Sequence, residues 1–234
     1  MAPSQKKVRT AVQQNVDVGL RRYLLNIYTY MALGLGLTGS ISLLIGFGSP
    51  AIQSFFASIS WVAMIGTFGI ALYFGFGAQR LSTSATQLLF WTYSALMGIT
   101  LCWIFRAYHA SSIARVFFVT AGTFGAVSVY GYTTQRDLTS VGTFCMMGLF
   151  GMIIAMIANM FFRSAGFDVA LSLIGVIIFV GLTAYDTQRL KELYYQLPHD
   201  ADLREKISIM GALSLYLDVV NLFLSLLRLM GDRK

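Results

Sequence analysis

Reduced to apolar and polar positions, the chain reads as seven long apolar runs separated by short polar breaks. The runs are roughly Leu24–Ile45, Ile52–Phe76, Leu88–Ile104, Val116–Tyr132, Val141–Phe162, Val169–Tyr185 and Ile207–Leu229. At 1.5 Å per residue a helix of such length crosses about 30 Å of hydrocarbon. The breaks carry turn and polar residues: Gly48-Ser49-Pro50, Gly77 to Thr86, Arg106 to Ser112, Thr133 to Ser140 and Arg163 to Asp168. The pattern predicts a polar tail over 1–23, one seven-helix domain over 24–231 and a short tail over 232–234. No internal repeat and no soluble module is visible.

Composition fixes the surroundings. The 234 residues are 56% hydrophobic and only 12% charged, where ordinary soluble domains carry about 25% charge. A soluble chain this apolar would have no face to show to water, so the reading is an all-α integral membrane protein in contact with the lipid bilayer. The first apolar run is a full span rather than the shorter core of a signal peptide. Cys102 and Cys145 both fall inside apolar runs and read as small packing residues, not a disulfide framework. The 22 glycines concentrate in the spans, which predicts close helix packing.

The net charge of +7 changes the picture only through its placement. Lysines and arginines flank spans and form no basic domain or recognition helix, so nucleic acid is not a partner and topology is the better reading. With all seven runs crossing, one side collects Lys6, Lys7, Arg9, Arg21, Arg22, Arg80, Arg136, Arg189, Lys191, Arg204 and Lys206. The other side collects Arg106, Arg115, Arg163, Arg228, Arg233 and Lys234. The imbalance predicts a cytoplasmic N-terminus in a cell (inner) membrane. A re-entrant last run would bring the C-terminal cations to the same side, so charge alone leaves the C-terminus open. The longest hydrophilic stretch, Asp186 to Lys206, begins with an interfacial-helix pattern and then reads as a solvated, charge-balanced loop.

Two aspartates stand out against this background. Asp186 closes the sixth run, and Asp218 sits in the middle of the seventh. On a helix turning about 100° per residue, Ser214, Asp218, Asn221, Ser225 and Arg228 share one narrow arc, with leucines and valines around the rest. A charge facing lipid costs several kcal/mol, so this stripe should face the bundle interior and the last helix should be central or inward-looking. Two carboxylates within reach of each other in a low-dielectric bundle cannot both ionise cheaply, and a shared proton would hold the sixth helix to the seventh. Without that proton they repel and offer hard oxygens to a divalent cation, a weak site suited to transit of calcium and protons rather than storage.

The segment GLTAYDTQRL, Gly181 to Leu190, resembles the signature of the Bax inhibitor-1 (transmembrane Bax inhibitor motif) family. So does ALSLYLDVVNLFLSLLRLMG, Ala212 to Gly231, and the resemblance extends over nearly the whole chain from about Arg21. It implies a bacterial member with two three-helix layers around a central C-terminal helix, and a pH-sensitive calcium leak. It also implies that Asp186 and Asp218 form a hydrogen-bonded latch, with Arg80 matching an arginine that pairs with the acidic site. The residues around Arg80 equally fit an ordinary cytoplasmic flank, and both roles stay open.

Other classes fit less well. Intramembrane aspartyl proteases also carry a Tyr-Asp in the sixth helix, as Tyr185-Asp186 does here. However, Asp218 follows Leu215-Tyr216-Leu217 rather than Gly-x-Gly, and no Pro-Ala-Leu follows, so no enzyme is expected. The runner-up, which the family resemblance also implies, is an interaction protein that modulates a membrane-bound protease or cell-death regulators through the Asp186–Lys206 stretch and the basic tail. His109 and His199 lack partners at ligand spacing, and no phosphate loop is present, so no cofactor is expected.

Overall fold

The computed structural model describes residues 3–76, 81–162, 164–198 and 200–234. Its elements are α1 (Pro3–Gly46), α2 (Pro50–Phe76), α3 (Thr83–Leu101), the single turn α4 (Ile104–Ala107), α5 (Ala110–Thr133), α6 (Thr139–Phe162), α7 (Ala165–Gln196) and α8 (Ala201–Met230). All but α4 contain a stretch long and apolar enough to cross a membrane. Arg80 and His199 lie outside the described residues.

The helices begin ahead of their apolar runs, and at three of them a polar side chain caps the start. Ser82 accepts from the Ala85 amide, Ser164 from that of Phe167, and Asp200 from those of Asp202 and Leu203. Each satisfies donors that the first helical turn leaves free. The polar tail is likewise continuous with the first span: α1 begins at Pro3, and Leu20 and Tyr23 are already core residues.

The hydrophilic stretch between the last two spans differs most from expectation. It is a helical hairpin rather than a loop, because α7 runs on to Gln196 and α8 starts at Ala201. Leu190 and Tyr194, four residues apart, carry the buried face of α7 beyond the apolar run, and Tyr194 stacks on Tyr23 of α1 with centroids 5.4 Å apart. Asp200 supplies the cap that lets α8 begin before its apolar part. Lys206, at the foot of α8, is buried.

The bundle has two layers. One contains α1, α2 and α3, with α1 and α2 each lying against α3; the other contains α5, α6 and α7, with α5 and α6 each lying against α7. Between them α8 touches α1, α3, α5 and α7. Burial ranks the helices accordingly: 61% of the apolar window of α8 is enclosed, against 11% for α2 and 17% for α6. The last helix is therefore central on all sides, and not only along its polar stripe.

The same packing settles that α8 crosses the whole bundle. Near its start, Glu205 accepts from Tyr30 of α1. At its far end, His109 donates its amide to the Asp232 carbonyl, and Lys234 donates its amide to the Ala107 carbonyl. That far end is also where α1 finishes, since Phe47 packs on Phe105. The start of α1 and the C-terminal residues thus lie at opposite ends of the bundle.

Close approach of helices depends on missing side chains at two crossings of α7. A Cβ on Gly131 of α5 would run into the Ala184 carbonyl of α7, and one on Gly175 of α7 would meet Ser225 Oγ of α8 at 2.6 Å. Small residues at such crossings let backbones pack without lipid between them.

Candidate functional site

The site lies in the seam between α7 and α8, with α6 along one side. Asp186 stands within the helical body of α7 and is buried; its Oδ2 accepts from Ser214 Oγ of α8 at 2.5 Å. One turn further along α8, Asp218 is only 4% exposed, and its Oδ2 has no hydrogen-bond partner among the described residues. It is close enough to Asp186 and to the Cys145 thiol of α6 to interact electrostatically with both, while Asp186 also feels Arg189 on its own helix. The structure thus brings Asp186, Ser214 and Asp218 together. Direct hydrogen bonding runs from Ser214 to Asp186, and Asp218 stands beside them with an acceptor unspent.

Two contacts fix the register of the seam. Asp186 meets Ser214, and Gly175 meets Ser225, eleven residues away on each antiparallel helix. The rest of the polar stripe falls between and beyond. Asn221 turns its Nδ2 back to the Leu217 carbonyl of its own helix at 2.8 Å. Ser225 is buried against Gly175. Arg228 departs from the inward stripe expected of it: it is exposed, in the last turn of α8, where a cation complements the helix C-terminus.

Several neighbours escaped the sequence reading. Gln188 of α7 accepts from the Leu138 amide and donates to the Arg136 carbonyl, both at 2.8 Å, which ties the α5–α6 turn to the helix that carries Asp186. Its signal was available: a Gln two positions after the aspartate, on a stretch read as surface. Cys145 of α6, a packing residue by its sequence pattern, lies against Gly181 and near enough to Asp218 to feel its charge. Ser128 Oγ of α5 and Thr187 Oγ1 of α7 are buried without hydrogen-bond partners. No sequence pattern singles them out, since Ser and Thr usually bond back to their own helix in a membrane.

On the opposite side of α8 the hydroxyl of Tyr216 is matched. Tyr216 is wholly buried and its hydroxyl lies 2.6 Å from Thr38 Oγ1 of α1, which in turn donates to the Ser94 carbonyl of α3 at 2.7 Å. Tyr93 and Phe90 meet its ring edge-on. Outside the spans, Asp137 shows a carboxylate in an ordinary setting: hydrogen bonds from Thr139 hold it below the usual carboxylate range.

Among the described residues, no group of three or more His, Cys, Asp or Glu side chains could hold a metal ion. The pair with Ser214 offers a few oxygens, well short of the six to eight that a resident calcium takes.

The family model for "Inhibitor of apoptosis-promoting Bax1" matches residues 20–234. A protein of Rickettsia prowazekii is 45% identical over 226 residues, covering 96% of this chain and 95% of its own length. The inner membrane protein YbhL of Escherichia coli K12 is 42% identical over 219 residues, covering 92% and 94%. A protein of Borreliella burgdorferi is 41% identical over 219 residues, covering 91% and 93%. With its seven apolar helices and both late motifs inside the matched region, the chain belongs to the Bax inhibitor-1 family.

Proposed function

We propose that the protein is a pH-sensitive calcium leak of the membrane, in which Asp186 and Asp218 share a proton when the path is closed. The observation that carries the reading is the mid-span carboxyl of Asp218, buried with one oxygen unpartnered beside the Ser214-bonded Asp186. A group left in that state costs stability, and intramembrane carboxylates kept at such cost belong to ion or proton paths as a rule. With one proton between them, the two side chains pull α7 and α8 together. Losing it as pH rises leaves two like charges in low dielectric, which separates the helices and exposes oxygens to a passing cation. Calcium is cargo here, and two carboxylates release it as readily as they bind it.

The charged and titratable groups that the structure couples to the pair are Arg189 on α7 and the Cys145 thiol on α6. Arg80 is the further cation proposed for the site. If it neutralises the pair, Arg80→Ala shifts the pH midpoint of flux; an unchanged midpoint assigns it to the cytoplasmic flank. The proposed orientation has a cytoplasmic N-terminus, which the balance of cations supports when the last span crosses.

The deciding measurement is calcium entry into dye-loaded proteoliposomes, scanned over pH. Wild type should conduct increasingly as pH rises through the pair's apparent midpoint. Asp218→Asn, which can hydrogen-bond but cannot titrate, should lose the pH dependence. Folded wild-type protein that passes no calcium at any pH would end the leak reading and favour the interaction reading instead.

A further inference from the structure

Between Asp218 and the far end of α8 the seam holds an oddity. On α8 the side facing α7 is polar in turn after turn: Ser214, Asp218, Asn221 and Ser225. On α7 the positions sharing the azimuth of Asp186 and Gly175 are Leu182 and Phe179, both buried in the core. The register set by the Asp186–Ser214 and Gly175–Ser225 contacts puts Leu182 level with Asp218, and Phe179 level with Asn221. A polar row therefore lies along an apolar pair.

Beyond Ser214, that row does not hold the helices together by hydrogen bonds. Asp218 Oδ2 has no partner, and Asn221 bonds back to Leu217 of its own helix rather than across the seam. Polar side chains that serve helix association in a membrane bond to the neighbouring helix. Beyond the pair the α7 surface drops away at Gly175, where the Ser225 hydroxyl occupies the place a side chain would take. Polar groups not spent on adhesion, an apolar plug across from them and a small residue after the plug are the parts of a narrow cation passage closed by dewetting.

We infer that the α7–α8 seam is the remainder of the conduction path, that Leu182 and Phe179 are its apolar closure, and that Ser225 lines it beyond them. The inference rests on the leak reading and locates its route. Separation at the aspartate pair parts the same seam, so Leu182 and Phe179 move away from α8 in the same motion. Water then reaches Asp218 and Asn221, and a small cation can follow the row of oxygens to Ser225.

Proteoliposomes loaded with a calcium indicator and with a large impermeant dye test this. At a pH where wild type is closed, Leu182→Ala and Phe179→Ala should each raise calcium entry about tenfold or more by shortening the dry segment, with the large dye retained. Ile177→Ala, on the lipid-facing side of the same helix at 62% exposure, should leave it unchanged. At a conducting pH, Gly175→Val should cut entry about tenfold or more, because its side chain projects onto Ser225. Gly125→Val, at a glycine with open space around it, should not. A conducting wild type whose Leu182→Ala, Phe179→Ala and Gly175→Val variants all behave like it overturns this route and leaves the leak reading standing. Large-dye release from the Leu182→Ala and Phe179→Ala vesicles also overturns it, since the gain would then be damage. A wild type silent at every pH removes the leak and the route together.

Discussion

Two side chains only two residues apart on α8 are treated in opposite ways. Tyr216 looks towards the first layer and Asp218 towards the second. The tyrosine hydroxyl is tied to Thr38, whose own proton goes to the Ser94 carbonyl, and its ring is met edge-on by Tyr93 and Phe90. The aspartate, equally deep, has an oxygen with no partner and an acidic neighbour. At Tyr216 the central helix is bonded as a permanent joint would be. Its other side retains unspent polar groups, and a joint of that kind can open without breaking many bonds. If the helix moves, it moves on its second-layer side.

The largest expected effect breaks the satisfied side. Tyr216→Ala removes a fully buried ring and leaves the Thr38 hydroxyl without it, at a cost of about 3–5 kcal/mol. Unfolding in detergent micelles should show that loss directly. Calcium flux per folded protein should keep its pH midpoint, because the aspartate pair is untouched. A displaced midpoint would show that the two sides of α8 are not independent.

A smaller change sharpens the same point. Thr38→Val keeps the shape and removes one interhelical hydroxyl, for which the mean cost measured in membrane bundles is about 0.6 kcal/mol. Both hydrogen bonds of Thr38 end together, so the loss should lie somewhat above that mean. Val at 38 combined with Phe at 216 should cost less than the sum of the two single changes, since they remove one shared bond. A loss for the pair equal to that sum would show that the two hydroxyls do not depend on one another.

The sequence was sufficient for one half of this contrast. Seven apolar runs, the inward pull of Asp218 and the two late motifs placed the last helix at the centre, because hydrocarbon penalises a charge wherever it lies in the span. The same penalty could not say how far each helix extends past the lipid. Caps such as Asp200 and the buried pair Leu190 and Tyr194 carry α7 and α8 through a stretch whose composition looks like a loop. Nor could it separate Tyr216 from the other aromatics. Its role comes from Thr38 and Ser94, far away in sequence, and pairing between distant spans leaves no local pattern. Arg228 shows the opposite failure: it has the right azimuth for the stripe, but one turn too many takes it out of the bundle.

The smallest effect on stability should come from the most deeply placed charge. Asp218→Asn replaces an oxygen that has no partner, so no hydrogen bond is lost, and the expected change in unfolding free energy is within about 1 kcal/mol of zero. Asp186→Asn should cost more, because Ser214 then donates to a weaker, neutral acceptor. The flux measurement reverses this order of importance. Either substitution removes the partner with which a proton is shared, so each alone should abolish the pH response, and the double variant should resemble a single one. Four proteins, each unfolded in detergent and each assayed for calcium entry over pH, give both cycles. Non-additive effects on the pH midpoint would mark Asp186 and Asp218 as one titrating unit. Additive shifts in the pH midpoint would mark two independent carboxylates and remove the shared proton from the mechanism.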